Sequence, residues 1–400
     1  MSLPPKDKSF VLALAFFELF RPSHKFSAFI FLFSVYNRNM ILINGNFLCR
    51  NLTGIERFAF ETCRQLDLLL SEKKESGLNV SILIPPNARI FPDFTNIHPI
   101  VSKTALKSFP KWDMITVKKE AERNKAIPLN FSNTAPLGKN CGISFLHDIY
   151  AKDFPEDFVT LKDRLIRIYS CFHYRNIAKN ALCILTVSEF SKHQILNAYP
   201  TDESKIHVLP NGWEHFNTVQ EDPSIFDRVP QLSEKKFFFT LGSLQKRKNL
   251  RWILDYASKN PEQIFAISGK PIGGMQSGEL SDLKKLSNIV FLGYVSDGEV
   301  KALMKNCAAF VFPSYYEGFG IPPLEALSTG AKIIVSDSAS LPEIYGEAAA
   351  YINPYNTDCS LLELSEKTVS KEAVEKVLKK YTYRNAAERL YEILVQYGEE

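Results

Sequence analysis

The chain has 400 residues, 45% hydrophobic and 23% charged, enough material for two or three domains with large cores. That composition excludes a disordered, fibrous or multi-span membrane protein. The net charge is +4, and residues 1–39 carry five basic residues against two acids, so the remainder is nearly neutral. It lacks the concentrated basic footprint of a nucleic-acid-binding protein.

Residues 1–39 read as an N-terminal extension. Phe10–Phe20 and Phe26–Tyr36 are apolar runs, each short of the roughly 20 residues that cross a bilayer as a helix. Pro22 separates them, and no small-x-small cleavage site follows either. An interfacial membrane anchor, a signal remnant and an upstream extension stay open; we take the last, with the functional chain starting near Met40.

From Met40 onward, short apolar runs alternate with helical stretches. Ile41–Ile43, Val80–Ile84, Gly142–Leu146, Cys183–Val187 and His207–Leu209 read as strands. A polar, proline-containing passage at 216–235 reads as a linker. The alternation then restarts with Phe237–Leu241, Ile264–Ser268, Ile289–Leu292, Ala309–Phe312 and Lys332–Val335. Such alternation predicts an α/β fold with parallel sheets covered by helices on both faces. Its repetition predicts two facing doubly wound domains, 40–215 and 236–370, with ligands in the cleft beyond the strands' carboxyl ends. Lys371–Tyr397 is a long amphipathic helical pattern with Tyr381, Leu390, Ile393 and Leu394 apolar among charges.

The passage Phe312-Pro-Ser-Tyr-Tyr-Glu-Gly-Phe-Gly-Ile-Pro-Pro-Leu-Glu-Ala-Leu carries the most chemistry. It runs from an apolar strand through a loop with Gly318 and Gly320 into a helix opened by Pro322 and Pro323, where proline's missing N–H costs nothing. Free amides at such a helix start favour an anion such as a diphosphate. Glu317 lies before the turn and Glu325 eight residues on. One carboxylate can meet the sugar end of an elongated ligand while the other holds ribose hydroxyls. Singly, Glu325 also fits favourable charge placement in a first helical turn, and Glu317 a solvated loop acid.

In Phe239-Thr-Leu-Gly-Ser-Leu-Gln-Lys-Arg-Lys-Asn-Leu, a strand and a glycine turn lead to three cations. Arg247 and Lys248 are assigned to a diphosphate and Lys246 to solvent; an exposed basic loop is the competing reading. There is no P-loop, no G-x-G-x-x-G between Met40 and Arg57, and no D-x-D or H-E-x-x-H, so no motif argues for a metal. Seven scattered cysteines without a C-x-x-C pair read as buried hydrophobes in a reducing compartment, not as disulfides or a zinc site.

Glu317–Glu325 resembles the Glu-x7-Glu pattern of the retaining nucleotide-sugar glycosyltransferases of family 4, which have the GT-B fold of two Rossmann-like domains. Leu52-Thr-Gly-Ile-Glu-Arg-Phe is similar to that family's first glycine loop. Phe131-Ser-Asn-Thr-Ala-Pro-Leu, Phe145-Leu-His-Asp-Ile, Thr186-Val-Ser-Glu-Phe-Ser-Lys and Leu209-Pro-Asn-Gly-Trp-Glu-His resemble later segments of its first domain, and Gly242–Leu250, Gly293-Tyr-Val-Ser-Asp and Ser340-Leu-Pro-Glu resemble its second. The resemblance implies that Glu317 faces the transferred sugar and Glu325 the ribose. The amides of Gly318, Phe319, Gly320 and Ile321 would meet sugar and phosphates, and Arg247 and Lys248 the diphosphate. Gly54 and Gly242 would approach the phosphates, Val295 and its neighbours the base, and His147 the sugar or acceptor; a structural histidine is the other reading of His147. Ser243 stands where many relatives have Arg after the glycine of the second-domain loop, with Arg247 supplying that charge.

By the same resemblance the activity is retaining transfer of a hexosyl group to a hydroxyl of a glycan or lipid-linked glycan, with no metal and no cofactor. GDP-mannose is the favoured donor, surface polysaccharide assembly the setting, and residues 371–400 cross back to the first domain. The expected place is the cytoplasm, with a peripheral position on the cytoplasmic face of the inner membrane left open as the alternative. Lys162–Lys179 (Arg164, Arg167, Phe172, Tyr174, Arg175) reads as a solvated helix face, with contact to anionic lipid as its alternative. A GT-B-fold epimerase that hydrolyses nucleotide sugars and a catalytically silent donor-binding protein are the competing functions.

Overall fold

The computed structural model describes residues 40–52, 54–73, 77–234, 236–241, 245–269 and 286–398. The N-terminal extension 1–39, Gly242 and Ser243 lie outside the described residues. In the first lobe the strands are β1 Met40–Asn44, β2 Asn79–Ile84, β3 His98–Val101, β4 Ala126–Asn130, β5 Ile143–Phe145, β6 Cys183–Thr186 and β7 Ile206–Val208. They form a parallel sheet of order β3-β2-β1-β4-β5-β6-β7. In the second lobe β8 Phe237–Leu241, β9 Ile264–Ser268, β10 Ile289–Gly293, β11 Ala309–Phe312, β12 Ile333–Ser336 and β13 Ala350–Ile352 form a parallel sheet of order β10-β9-β8-β11-β12-β13. Both sheets are doubly wound. Strands β5, β9 and β11 are buried throughout, as expected where helices cover both faces of a parallel sheet.

Three strands escape a reading by apolar runs. β4 is central, yet holds Pro128, which cannot donate to the ladder and argues against a central strand in sequence. Gly142 makes room for it: a Cβ there would sit 2.2 Å from the Pro128 carbonyl oxygen. β3 is an exposed edge strand with Pro99, and β13 spans three residues.

The passage 216–235, expected as a linker, is instead packed into the second lobe as far as it is described. Phe216, Ile225 and Leu232 are buried in that lobe's core, with the short helices Ser224–Arg228 and Gln231–Glu234 between β7 and β8. The lobes are joined further upstream, at Gly212, which lies against the backbone of Thr382 and Tyr383; a Cβ at Gly212 would come within 2.1 Å of the Tyr383 nitrogen. Two chain crossings therefore run side by side. The Glu214 carboxylate fixes them by accepting from the amides of Trp213, Tyr383 and Arg384, capping the helix that starts at Tyr383 with a negative charge.

The amphipathic pattern at the C-terminus is two helices, not one. Lys371–Lys380 packs Val377 into the second lobe, and Tyr383–Gly398 buries Tyr383, Ala386, Ala387, Leu390, Ile393 and Leu394 in the core of the first. All seven cysteines are free thiols.

His173 is fully buried on the Leu161–Asn180 helix; its Nδ1 accepts from the Ala135 amide, and its Nε2 has no partner among the described residues. Burial pulls its pKa from 6.5 down to about 4, and burial lowers His147 and His207 too. An unfolded chain takes up a proton at His173 near pH 6.5, whereas the folded one refuses it until about pH 4, so stability falls as pH drops through that window. The His173 share is about 3 kcal/mol once the window is crossed. Urea unfolding from pH 7 to pH 4 should show a shallower decline for His173→Gln than for the wild type; parallel declines would contradict this.

Candidate active site in the interlobe cleft

In the second sheet the strand order reverses between β8 and β11, so the loops after these two strands part and leave a crevice at their carboxyl ends. The loop after β8 forms a 3-10 turn, Lys246–Lys248, ended by Asn249 in the left-handed region at φ 59°. Asn249 Nδ2 donates to the carbonyls of Pro313 and Pro354, and the Arg247 carbonyl accepts from the Tyr315 amide. These bonds stitch the basic turn to the loop after β11, where Glu317 lies.

Lys248 Nζ is 2.6 Å from Glu317 Oε1, and an Arg247 guanidinium nitrogen is 3.2 Å from Oε2. Glu317 is buried and its two partners nearly so. Burial alone would raise the Glu317 carboxyl, but the charges of Lys248 and Arg247 outweigh it and hold the group below its usual range, ionised. Burial pulls Lys248 down, with Glu317 opposing. Arg247 also lies 3.8 Å from Asp148 and 5.5 Å from the Tyr150 ring, both of the first lobe. Two cations thus converge on one buried acid.

Beside this cluster the backbone is turned one way. Ser340 Oγ lies 3.0 Å from the Glu317 carbonyl and 3.3 Å from that of Phe319, Ser188 Oγ donates to Gly318 O at 2.6 Å, and the Tyr345 hydroxyl donates to Gly320 O. The amides from Glu317 to Ile321 have no acceptor among the described residues. They precede the Ile321–Ser328 helix, whose first turn holds Pro322 and Pro323. Gly320 makes the turn at φ 90°, and a Cβ there would come within 2.6 Å of Leu341. A row of free N–H groups at a helix start next to Lys248 and Arg247 is suited to a polyanion.

The first lobe meets this loop directly. Ser191 Oγ donates to the His147 carbonyl, and the carbonyl lies where a Cβ on Gly318 would go. The His147 imidazole is buried between Phe145, stacked at 5.1 Å, and Phe58, edge-on at 5.4 Å. Its Nε2 donates to the Phe131 carbonyl at 2.7 Å, and because burial lowers its pKa the ring is neutral, with the lone pair on Nδ1. Gly54, at φ 51°, caps the Ile55–Glu72 helix one turn before Phe58, and Arg57 of that turn pairs with Asp297 of the second lobe.

The other expected residues have partners of their own. Glu325 Oε1 lies 3.0 Å from the buried His215 Nε2. The side chains of Val295 and Phe319 are in the second lobe's core, Phe319 edge-on to Tyr381, so only their backbones can face a ligand. Ile321 packs partly against the same core. Lys246, expected in solvent, pairs with Asp157 of the first lobe at 2.7 Å although its side chain is largely exposed. Gly242 is outside the described residues. Among the described residues no three His, Cys, Asp or Glu side chains are grouped to hold a metal ion.

A second set was not foreseen. Asp157 accepts from Tyr150 and Tyr315, and Asp153 from Tyr316 at 2.8 Å, with Phe154 between the two second-lobe tyrosines. Glu343, in the segment Ser340-Leu-Pro-Glu, accepts from the amides of Glu189 and Phe190 and so caps a first-lobe helix from across the cleft. The only sequence signal for this latch was the paired Tyr315-Tyr316 ahead of Glu317.

Gly318→Ala would put a methyl group 2.4 Å from the His147 carbonyl oxygen. The lobes must shift apart, at a cost of about 1–3 kcal/mol. Thermal unfolding should show a lowered midpoint for this variant, and an unchanged midpoint would contradict the close approach.

Residues 222–385 match the family Glycosyl transferases group 1. The O-antigen chain mannosyltransferase RfbU of Salmonella typhimurium is 28% identical over 234 residues, covering 58% of this chain and 62% of that relative. The fold is similar to sucrose-phosphate synthase of Thermosynechococcus elongatus, with a TM-score of 0.65 at 14% identity over 90% of this chain and 99% of that one. It is also similar to Anabaena HepE in complex with UDP-glucose, with a TM-score of 0.62 at 15% identity over 89% of this chain and 99% of that one. Residues 222–385 are thus a glycosyl transferases group 1 domain, carried in a chain with the two-lobed GT-B fold.

Proposed function

We propose that the protein transfers a hexosyl group, with retention and without a metal, from a nucleoside-diphosphate sugar to a hydroxyl of a glycan or lipid-linked glycan. The observation that carries this reading is the row of free amides from Glu317 to Ile321 beside Lys248 and Arg247. It supplies fixed positive groups for a diphosphate at a helix start. Mannose as the transferred sugar and assembly of surface polysaccharide as setting are supported by the O-antigen chain mannosyltransferase RfbU, and GDP-mannose is the donor we propose; HepE, in complex with UDP-glucose, supports a nucleotide sugar in the cleft. The protein would work in the cytoplasm.

In this reading a diphosphate at Lys248 and Arg247 shares those cations with Glu317, whose carboxylate turns toward the sugar. The bond from the anomeric carbon to the phosphate oxygen breaks, and its electron pair leaves with the diphosphate. The acceptor oxygen bonds the same carbon from the same face, and its proton passes to the departing phosphate oxygen. The cations and amides act on charge that grows as this bond breaks, where loss of one contact typically costs roughly 10²–10³ in rate. His147, neutral and buried beside Gly318, would accept a hydrogen bond from a sugar hydroxyl at Nδ1. Glu325, held by His215, would take the ribose.

Lys248→Ala should lower turnover more than about tenfold, measured as sugar transfer to an acceptor glycan; an unchanged rate would remove the diphosphate assignment. NMR of the product should show the donor's anomeric configuration, and activity should survive a chelator. An inverted product or loss of activity with chelator would refute the mechanism. Free sugar released in the absence of acceptor would instead favour the epimerase, and donor binding with no turnover a silent binder.

A further inference from the structure

The Leu161–Asn180 helix has an apolar stripe on its outer side. Its buried side, Tyr174, Ile177 and Ala178, packs into the first lobe. At about 100° per residue, Leu161, Leu165, Ile168 and Phe172 line up roughly opposite that buried side. They are 76%, 60%, 62% and 52% exposed, and Val159 and Ile166 beside them are exposed as well. The stripe runs about 16 Å. Large apolar side chains in one exposed row are an interaction surface, whereas single ones need no explanation.

Charge selects the occupant. Lys162, Arg164, Arg175 and Lys179 are exposed on the same helix, and its one acid, Asp163, is engaged in a capping box with Thr160. A second copy of this face would bring like charges together. An anionic lipid surface matches both features, since apolar residues enter the acyl boundary while cations meet the headgroups. No described helix is long and apolar enough to cross a membrane, so such contact would be peripheral.

We propose that the Leu161–Phe172 stripe and its flanking cations dock the protein onto an anionic membrane surface. Arg167 Nε donates to the Ala151 carbonyl, fixing the helix against the segment whose Asp153 and Asp157 bond Tyr316, Tyr315 and Lys246. The docking face is thereby tied to the rim of the cleft that holds Lys248 and Glu317. Presentation of a lipid-borne acceptor at that rim rests on the function proposed above; membrane binding itself does not.

The test is flotation of the full chain with vesicles of phosphatidylcholine alone and of phosphatidylcholine mixed with phosphatidylglycerol. The wild type should float with the mixed vesicles and less so at raised salt. Ile168→Glu with Phe172→Glu should reduce that binding at least about tenfold, and Arg164→Glu with Arg175→Glu should abolish the preference for anionic lipid. Thermal unfolding of both variants should match the wild type, as expected for exposed positions. No flotation of the wild type, or equal flotation of the variants, would overturn the proposal. So would a wild-type dimer in sedimentation that Ile168→Glu splits, which would assign the stripe to a second copy.

Discussion

Four consecutive carbonyls, from Glu317 to Gly320, are fastened into the protein by Ser340, Ser188 and Tyr345. A peptide unit has two polar ends, and fixing the carbonyls inward turns the amides the other way. The short loop after β11 thus becomes a rigid donor surface without any cationic side chain of its own. Glycine is required on both sides of this turn: at Gly318 because the first lobe's backbone leaves no space for a Cβ, and at Gly320 because φ is positive and Leu341 fills the space.

The fasteners come from separate parts of the chain. Ser188 belongs to the first lobe, so the shape of a second-lobe loop depends on how the lobes meet. Glu343 acts in the opposite direction, capping a first-lobe helix from the second. The aromatic and acidic residues of Tyr150–Asp157 close one flank against Tyr315, Tyr316 and Lys246, and the paired crossings at Gly212 and Tyr383 hold the other side. The cleft is a product of lobe contact, with the charges at its centre paired: Glu317 against Lys248 and Arg247, and Arg247 also facing Asp148 of the first lobe.

Much of this was legible in the sequence because it is local. An apolar run, two glycines and two prolines spell strand, turn and helix start within sixteen residues, and the basic turn after β8 follows the same logic. Elsewhere local signals mislead. Pro128 argues against a central strand, and the space it occupies is left by Gly142 of the neighbouring chain segment. The polar passage 216–235 resembles a linker because its apolar residues are sparse, yet Phe216, Ile225 and Leu232 find a core in the second lobe. The spacing of Glu317 and Glu325 is legible in the sequence, but the partner of Glu325 is not: His215 lies 110 residues away in the chain.

The sequence by itself determined what depends on neighbours along the chain: the alternation of buried strands and helices, the doubling of that pattern, and the composition of the two loops at the switch point of the second sheet. The tertiary structure alone decided what depends on residues far apart. It turned Glu317 from a loop acid into a buried anion between two cations, and bound Tyr315 and Tyr316 to the acids of the other lobe. It also left the Leu161–Phe172 stripe facing outward. Burial is a property of the whole packed molecule, and the pairing of a buried charge is set by which distant groups share its low-dielectric surroundings.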